Sequence, residues 1–367
     1  MRVLMTTDTV GGVWTFTQEL AAGLLESGCT VSLVSFGRLP SPVQQDDCQR
    51  LAGMHRERFF YRPSEIGLEW MEDNQTVYEE GASLLTREAV RFSPDVIHSN
   101  QFCYGALQLA IPCVVSAHSD VFSWFRACRG ASPPPSHWLA TYRETVQAGL
   151  LQCSAVIAPT RWMMRELAQA FELPQRCDVI SNGRTVEAGS GSPRKMCAVT
   201  VGRLWDEAKG IDTLHTLRSP IPILVAGSTT HPDARRPPSI ASATYLGELG
   251  GDQILHLFQS SSIYLCLSRY EPFGLAPLEA ALCGCAVVAR DLPSLREVWG
   301  DSALYFEDTR SLQEILSALA AAPELLAAAR ESAHRRALAF DRAQMTRHYL
   351  DLFESTVAPS ERAEHAA

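Results

Sequence analysis

Short β-branched runs alternate with stretches of helical spacing along almost the whole chain, and no other feature restricts the fold as much. In the first half these runs lie at residues 3–6, 30–36, 95–99, 113–117, 155–158 and 178–180. Between the first two, residues 13–27 carry apolar side chains at helical spacing, and Gly28 stands where such a helix stops. Strand, helix and strand at this separation make a parallel α/β unit. The pattern pauses at NGRTVEAGSGSP, residues 182–193, whose Gly, Ser and Pro content marks a linker. It restarts with runs at 198–201, 223–226, 244–246, 263–267, 286–289 and 303–306, with helices expected over 211–217, 252–260, 275–283 and 294–299. The expectation is an α/β protein of two consecutive doubly wound domains, each a parallel sheet. From residue 311 the chain reads as helical, with breaks near Pro323 and at residues 340–341. A last helix over 342–354 has either domain to pack on, and PSERAEHAA reads as a frayed tail.

A length of 367 residues fits two domains better than one. Apolar residues at 46% and charged residues at 20% are ordinary for a globular protein with a sizeable core. A net charge of −9 argues against a nucleic-acid-binding surface, although a single phosphate pocket needs few cations. Eleven cysteines are scattered from Cys29 to Cys285 with no C-x-x-C pair, only the C-x-C of Cys283 and Cys285. No metal site is expected from them; they read as reduced, mostly buried thiols. MRVLMTTDTVGGV passes straight into strand-like sequence, and no run reaches the roughly 18 apolar residues of a membrane span. These features point to a cytoplasmic protein with no transmembrane segment.

Four constellations have chemistry in them. Gly11 and Gly12 stand between the first strand and the first helix, where glycines let a ligand approach the backbone and free amides attract phosphate. A packing turn explains them equally well, and the third glycine of a dinucleotide fingerprint is missing. VGRLWDEAKG puts Arg203 and Lys209 on one loop after the first strand of the second domain. A planar fork and a mobile point charge suit a departing diphosphate, although solvated surface cations have the same spacing. SRYEPFGLAPLEAALCG puts Glu271 in a strand-to-helix loop and Glu279 one to two turns into the helix. Two carboxylates would repel phosphate but accept from the hydroxyls flanking one, on a sugar and on a ribose. Helix-dipole stabilisation and a solvated face are the plain alternatives. Finally, His118 of VSAHSD ends a first-domain strand, as either a structural histidine or a cleft residue.

Together these residues resemble the retaining glycosyltransferases of family 4, with the GT-B architecture. The resemblance runs from the GGV loop through AHSD, VISNGR, VGRLWDEAKG, EPFGLAPLEAALCG and PSLREVWG. It implies two facing Rossmann-like domains, an acceptor-side domain over 1–183 and a nucleotide-sugar domain over 184–341. A helix over about 342–367 would return to the first domain. It implies a donor site in which Glu279 binds ribose hydroxyls, Glu271 holds donor-sugar hydroxyls, and Arg203 and Lys209 clamp the diphosphate. Gly12, beside Gly11, would offer an amide to the distal phosphate. Phe273, Gly274 and Leu275 would lend backbone amides, and His118 would contact the sugar. Transfer would proceed with retention and without metal or other cofactor, the two cations serving the diphosphate.

Three departures from the family pattern stand out. The Arg203–Lys209 spacing is one residue longer than the commonest form, Ser119 follows His118, and AGSTTHPDARRPPS replaces a compact Gly-rich turn. Other readings stay open on the same fold: a nucleotide-sugar epimerase, a sugar phosphorylase, or a silent nucleotide-sugar-binding protein. An epimerase needs paired acid and base groups, for which the first domain offers only His118 and Asp120; a silent protein would be expected to lack Arg203, Lys209 or Glu271. The donor expected first is UDP-glucose, then GDP-mannose and UDP-N-acetylglucosamine. The acceptor, a small molecule, a glycan or a lipid-linked compound, would meet loops 38–73 and 118–135. There HRERFFYRP suits peripheral contact with a lipid surface or a glycan, or more simply a solvated, partly packed loop. Trp124 and Phe125 suit either sugar stacking or core packing.

Overall fold

Every β-branched run named above forms a strand, and all pairings among them are parallel. The computed structural model describes residues 1–186, 194–229 and 242–357. The rest of the expected linker, most of the AGSTTHPDARRPPS segment and the tail lie outside the described residues. In chain order the strands of the first sheet are β1 (Arg2–Asp8), β2 (Thr30–Phe36), β3 (Phe59–Pro63), β4 (Val96–Ser99), β5 (Cys113–Ser116), β6 (Ala155–Ala158) and β7 (Cys177–Val179). Those of the second are β8 (Lys195–Val201), β9 (Ile223–Ala226), β10 (Thr244–Tyr245), β11 (Ser261–Cys266), β12 (Ala286–Arg290) and β13 (Leu304–Phe306). The spatial orders are β3-β2-β1-β4-β5-β6-β7 and β10-β9-β8-β11-β12-β13.

Each sheet is buried on both faces, as parallel sheets must be, and successive side chains feed opposite cores. Val3 and Met5 join one cluster and Leu4 the other; Val31 and Leu33 oppose Val34 and Phe36. Tyr264 and Cys266 likewise oppose Ile263 and Leu265 in the second domain. The cysteines are all free, most of them buried in these cores.

The helix Gly12–Glu26 covers one face of the first sheet together with the terminal helix Arg342–Val357, which crosses back from the second domain. Met345, Tyr349, Leu352 and Phe353 enter the same core as Leu20 and Leu24. The two helices meet so closely that a Cβ on Gly23 would lie 1.9 Å from Oγ1 of Thr346. Where the chain passes between domains it is tightly held. A Cβ on Gly183 would lie 2.3 Å from the Asp341 carbonyl oxygen, and the Arg184 amide donates to the Phe340 carbonyl at 2.9 Å. Residues 182–184, expected as the start of a loose linker, are therefore packed against the second crossing.

Two further expectations are corrected. Residues 59–63 of HRERFFYRP form the edge strand β3, paired with β2, with Phe59 buried. The β-branched and aromatic side chains of β2 and β3 pair in place of a solvated loop. Residues 211–217 were expected to be a helix but form only a 3-10 turn over Ile211–His215. Gly210 enters the segment at φ 60°, and Ile211, Leu214 and Leu217 enter the core at a spacing of three, which suits three residues per turn. Among the described residues no single helix is long and apolar enough to cross a membrane.

Candidate active site

In doubly wound sheets ligands collect at the carboxyl ends of strands, where the strand order reverses. The reversals fall between β1 and β4 in the first sheet and between β8 and β11 in the second. Gly11 and Gly12 follow β1, Asn100 follows β4 and His118 follows β5, while Arg203 follows β8 and Glu271 follows β11. The two sets face each other. A Cβ on Gly11 would lie 3.0 Å from Nη1 of Arg203, and one on Gly12 would lie 3.8 Å from Cδ1 of Leu275. Gly12 starts its helix with no side chain capping the amides, so N–H donors open directly beside the Arg203 guanidinium.

Lys209 Nζ donates to Glu271 Oε2 at 2.7 Å, and Ser268 Oγ donates to the same oxygen at 3.0 Å. Ser294 Oγ donates to the Glu271 carbonyl at 2.7 Å, which anchors the loop. Burial opposes the Lys209 charge, but Glu271 more than offsets it and holds the ammonium above its ordinary pKa. Lys209 is therefore a fixed cation. Arg203 Nη2 donates to Asp206 Oδ2 at 2.7 Å, and the Asp206 carboxylate also accepts from the Ala208 amide. Arg203, Lys209, Glu271 and the glycine turn thus come together where the carboxyl ends of the two sheets face each other.

The turn after Glu271 requires glycine. Gly274 has φ 92°, and a Cβ there would lie 2.7 Å from Pro277 Cγ. It precedes the helix Leu275–Leu282, which has no side-chain cap. The Phe273 side chain is buried, with its ring edge-on to Phe340. Phe273, Gly274 and Leu275 therefore stand at the helix start after Glu271, with the Phe273 ring turned into the core and the Leu275 side chain toward Gly12.

Glu279 lies on that helix but does not touch Arg203 or Lys209 by hydrogen bond. Its Oε1 accepts from Arg184 Nε at 2.7 Å, and the same guanidinium also binds Glu19 of the first domain. Burial raises the Glu279 pKa, with Arg184 opposing that rise. No sequence motif marks this bridge, because its three residues lie in three separate segments.

His118 is half-buried, edge-on to Phe16 at 4.6 Å, with Nε2 2.7 Å from Oδ1 of Asn100. Burial lowers its pKa to about 4, so the ring is neutral near pH 7 and serves as a hydrogen-bonding group. Asn100 is held by Thr6, Thr17 and His118 together. It is a site residue that reasoning from motifs missed; a lone Asn after a strand is a weak signal.

Further polar contacts tie the domains together around the cleft. Tyr270 OH accepts from the Asp120 amide at 3.2 Å and pairs with Ser123 Oγ at 2.8 Å. Glu297 accepts from the Arg161 and Trp162 amides, capping a first-domain helix from the second domain. Trp124 bonds Asp206, and Arg129 over the Trp124 and Phe125 rings pairs with Glu207. Trp124 and Phe125 thus belong to the domain interface. Among the described residues no group of three His, Cys, Asp or Glu side chains is placed to hold a metal ion.

Residues 10–187 match the family model described as Glycosyltransferase Family 4, and residues 240–336 match that of Glycosyl transferases group 1. α-Maltose-1-phosphate synthase of Mycobacterium tuberculosis is 28% identical over 230 residues, 53% of this chain and 58% of that protein. GDP-mannose:cellobiosyl-diphosphopolyprenol α-mannosyltransferase of Xanthomonas campestris is 29% identical over 227 residues, 55% and 57% of the two chains. The matches therefore span somewhat over half the length of these relatives. Sucrose-phosphate synthase from Thermosynechococcus elongatus superposes with a TM-score of 0.75 at 16% identity, over 97% of this chain and 100% of that one. Anabaena HepE, solved with UDP and glucose, gives 0.72 at 16% identity over the same shares. At such identities the likeness is one of fold. The chain belongs to the family 4, group 1 glycosyltransferases of GT-B fold.

Proposed function

We propose that this protein transfers a hexosyl group, with retention, from a nucleoside diphosphate sugar of the UDP-glucose type to an acceptor hydroxyl. One observation carries the reading: the half-buried Lys209–Glu271 pair and Arg203 meet the uncapped Gly12 helix start at facing carboxyl ends. A diphosphate spanning that gap meets fixed cations and amides, the arrangement that stabilises charge developing on a leaving group. Glu271 accepts from donor-sugar hydroxyls and Glu279 from the ribose. His118, neutral and anchored on Asn100, contacts the sugar as a hydrogen-bonding group.

In the proposed step the acceptor oxygen bonds to the anomeric carbon on the face from which the diphosphate oxygen departs. The acceptor proton passes to that departing oxygen. Arg203 and Lys209 compensate the charge that remains, so the reaction proceeds without a metal ion. Relatives are named for maltose-1-phosphate synthesis, for sulfoquinovosyl transfer and for mannosyl transfer from GDP-mannose, and the Anabaena structure holds UDP and glucose. UDP-glucose is accordingly the first donor to try, then GDP-mannose and UDP-N-acetylglucosamine.

The test is nucleotide release from these donors with and without chelator, followed by an acceptor trap. Slow, chelator-insensitive release and an α-linked product from an α-linked donor are expected. If no nucleotide sugar binds or turns over, the reading fails; an inverted product refutes retention.

A further inference from the structure

Trp124 lies on the first-domain helix Val121–Arg129, yet its indole N–H donates to Asp206 Oδ1 of the second domain at 3.2 Å. The other Asp206 oxygen accepts from Arg203 Nη2 at 2.7 Å. Asp206 is nearly buried, with its side chain 5% exposed, and the Ala208 amide fixes Oδ1 from a third direction at 2.9 Å. A carboxylate beside a diphosphate clamp competes with phosphate for the same guanidinium. Its benefit is geometric. It holds one edge of the planar fork and turns the other, Nη1, toward Gly11.

The helix that carries Trp124 is held from the second domain at both ends. Tyr270 OH binds the Asp120 amide and Ser123 Oγ at its start, and Arg129 makes a two-point pair with Glu207 at its end. The indole N–H reaches Asp206 only when the two domains meet in this geometry. When it does, it takes up part of the Asp206 charge that would otherwise oppose the phosphate.

We propose that Trp124 and Asp206 are positioning residues that align Arg203 with the leaving diphosphate when the domains come together. The proposal rests on the donor reading given above. Trp124→Phe keeps an aromatic ring against Phe125 and Arg129 and removes the indole N–H together with the second ring. With UDP-glucose or GDP-mannose, whichever is turned over, kcat for nucleotide release should fall ~10-fold in this variant, the loss expected for a hydrogen bond to a charged group. The donor KM and the affinity for the free nucleoside diphosphate by calorimetry should stay within about 2-fold, because the relay acts after binding. Asp206→Asn should lower kcat at least as much, and adding Trp124→Phe to it should cost less than about 2-fold more, the sign of one coupled unit. A wild-type kcat in Trp124→Phe overturns the proposal, as do losses that multiply independently or a rise confined to KM. In each of those cases the protein still binds and turns over the donor, which spares the donor reading. A wild-type protein that binds no nucleoside diphosphate would overturn both.

Discussion

Arg184→Met should lower the stability of the protein in a pH-dependent way. The Arg184 guanidinium joins Glu19 and Glu279 across the domain boundary, and the three side chains are only 18%, 8% and 13% exposed. Methionine keeps much of the stem's packing and removes the charge. Glu19 then keeps the Thr185 amide and, at 4.0 Å, Arg342. Glu279 has no other ion pair among the described residues. Removing one partner from a buried pair typically costs about 3–5 kcal/mol, because the remaining charge stays desolvated. For a domain of this size that corresponds to a melting point roughly 6–20 °C lower. Burial already raises the Glu279 pKa while Arg184 opposes the rise, so losing Arg184 moves it further up. A carboxylate whose folded pKa is raised binds its proton more readily in the folded state, so its contribution is lost as pH climbs through that pKa. The gap between wild type and variant should therefore be wider near pH 8 than near about pH 5.5. Thermal unfolding by circular dichroism at both pH values reads this directly, and other titrations cancel in the difference. Glu279→Gln added to Arg184→Met should recover much of the loss. A melting point within about 2 °C of wild type, or a gap indifferent to pH and to Glu279→Gln, would refute the reasoning.

Four further outcomes are expected. Lys209→Ala should lower turnover by about 10²–10³-fold in nucleotide-release kinetics, since one group fixed at the developing charge is lost. Glu271→Ala should chiefly lower kcat, while Glu279→Ala should chiefly weaken nucleotide binding in calorimetry; equal, negligible effects would sink both assignments. Gly23→Ala should destabilise the fold although alanine favours a helix by about 1 kcal/mol, because its Cβ would meet Thr346 Oγ1 at 1.9 Å; Thr346→Ala in the same chain should recover part of the loss, read as a denaturation midpoint. His98 is fully buried, and burial lowers its pKa to about 3. The unfolded chain therefore binds the extra proton below about pH 6.5. Stability should then fall as pH drops from there toward 3, by about 1.4 kcal/mol per unit, and His98→Phe should flatten that slope in pH-resolved denaturation.

The strands were legible because a parallel sheet buried on both faces demands continuous β-branched runs, and those runs stand out locally. β3 was overlooked because an edge strand buries only part of itself: Phe59 is covered, but Phe60 remains 40% exposed, and arginines interrupt the pattern. The site divides in the same way. Arg203, Lys209, Glu271 and the glycines were readable because each lies in a short motif at the end of a strand. Their pairing was not, because Lys209 and Glu271 are 62 residues apart and meet only when β8 and β11 lie side by side.

The sequence by itself determined the two α/β domains, the family, and the loops that supply the cations and carboxylates, since all of these are local patterns of period and residue type. Only the tertiary structure decided what those side chains bind. It set Glu279 on Arg184 and Glu19, His118 on Asn100, and Trp124 on Asp206. It also sent the last helix to the first domain, where Gly23 leaves room for Thr346. These choices rest on contacts between residues far apart in the chain, and a hydrogen bond or a close helix crossing leaves no periodic mark on either partner.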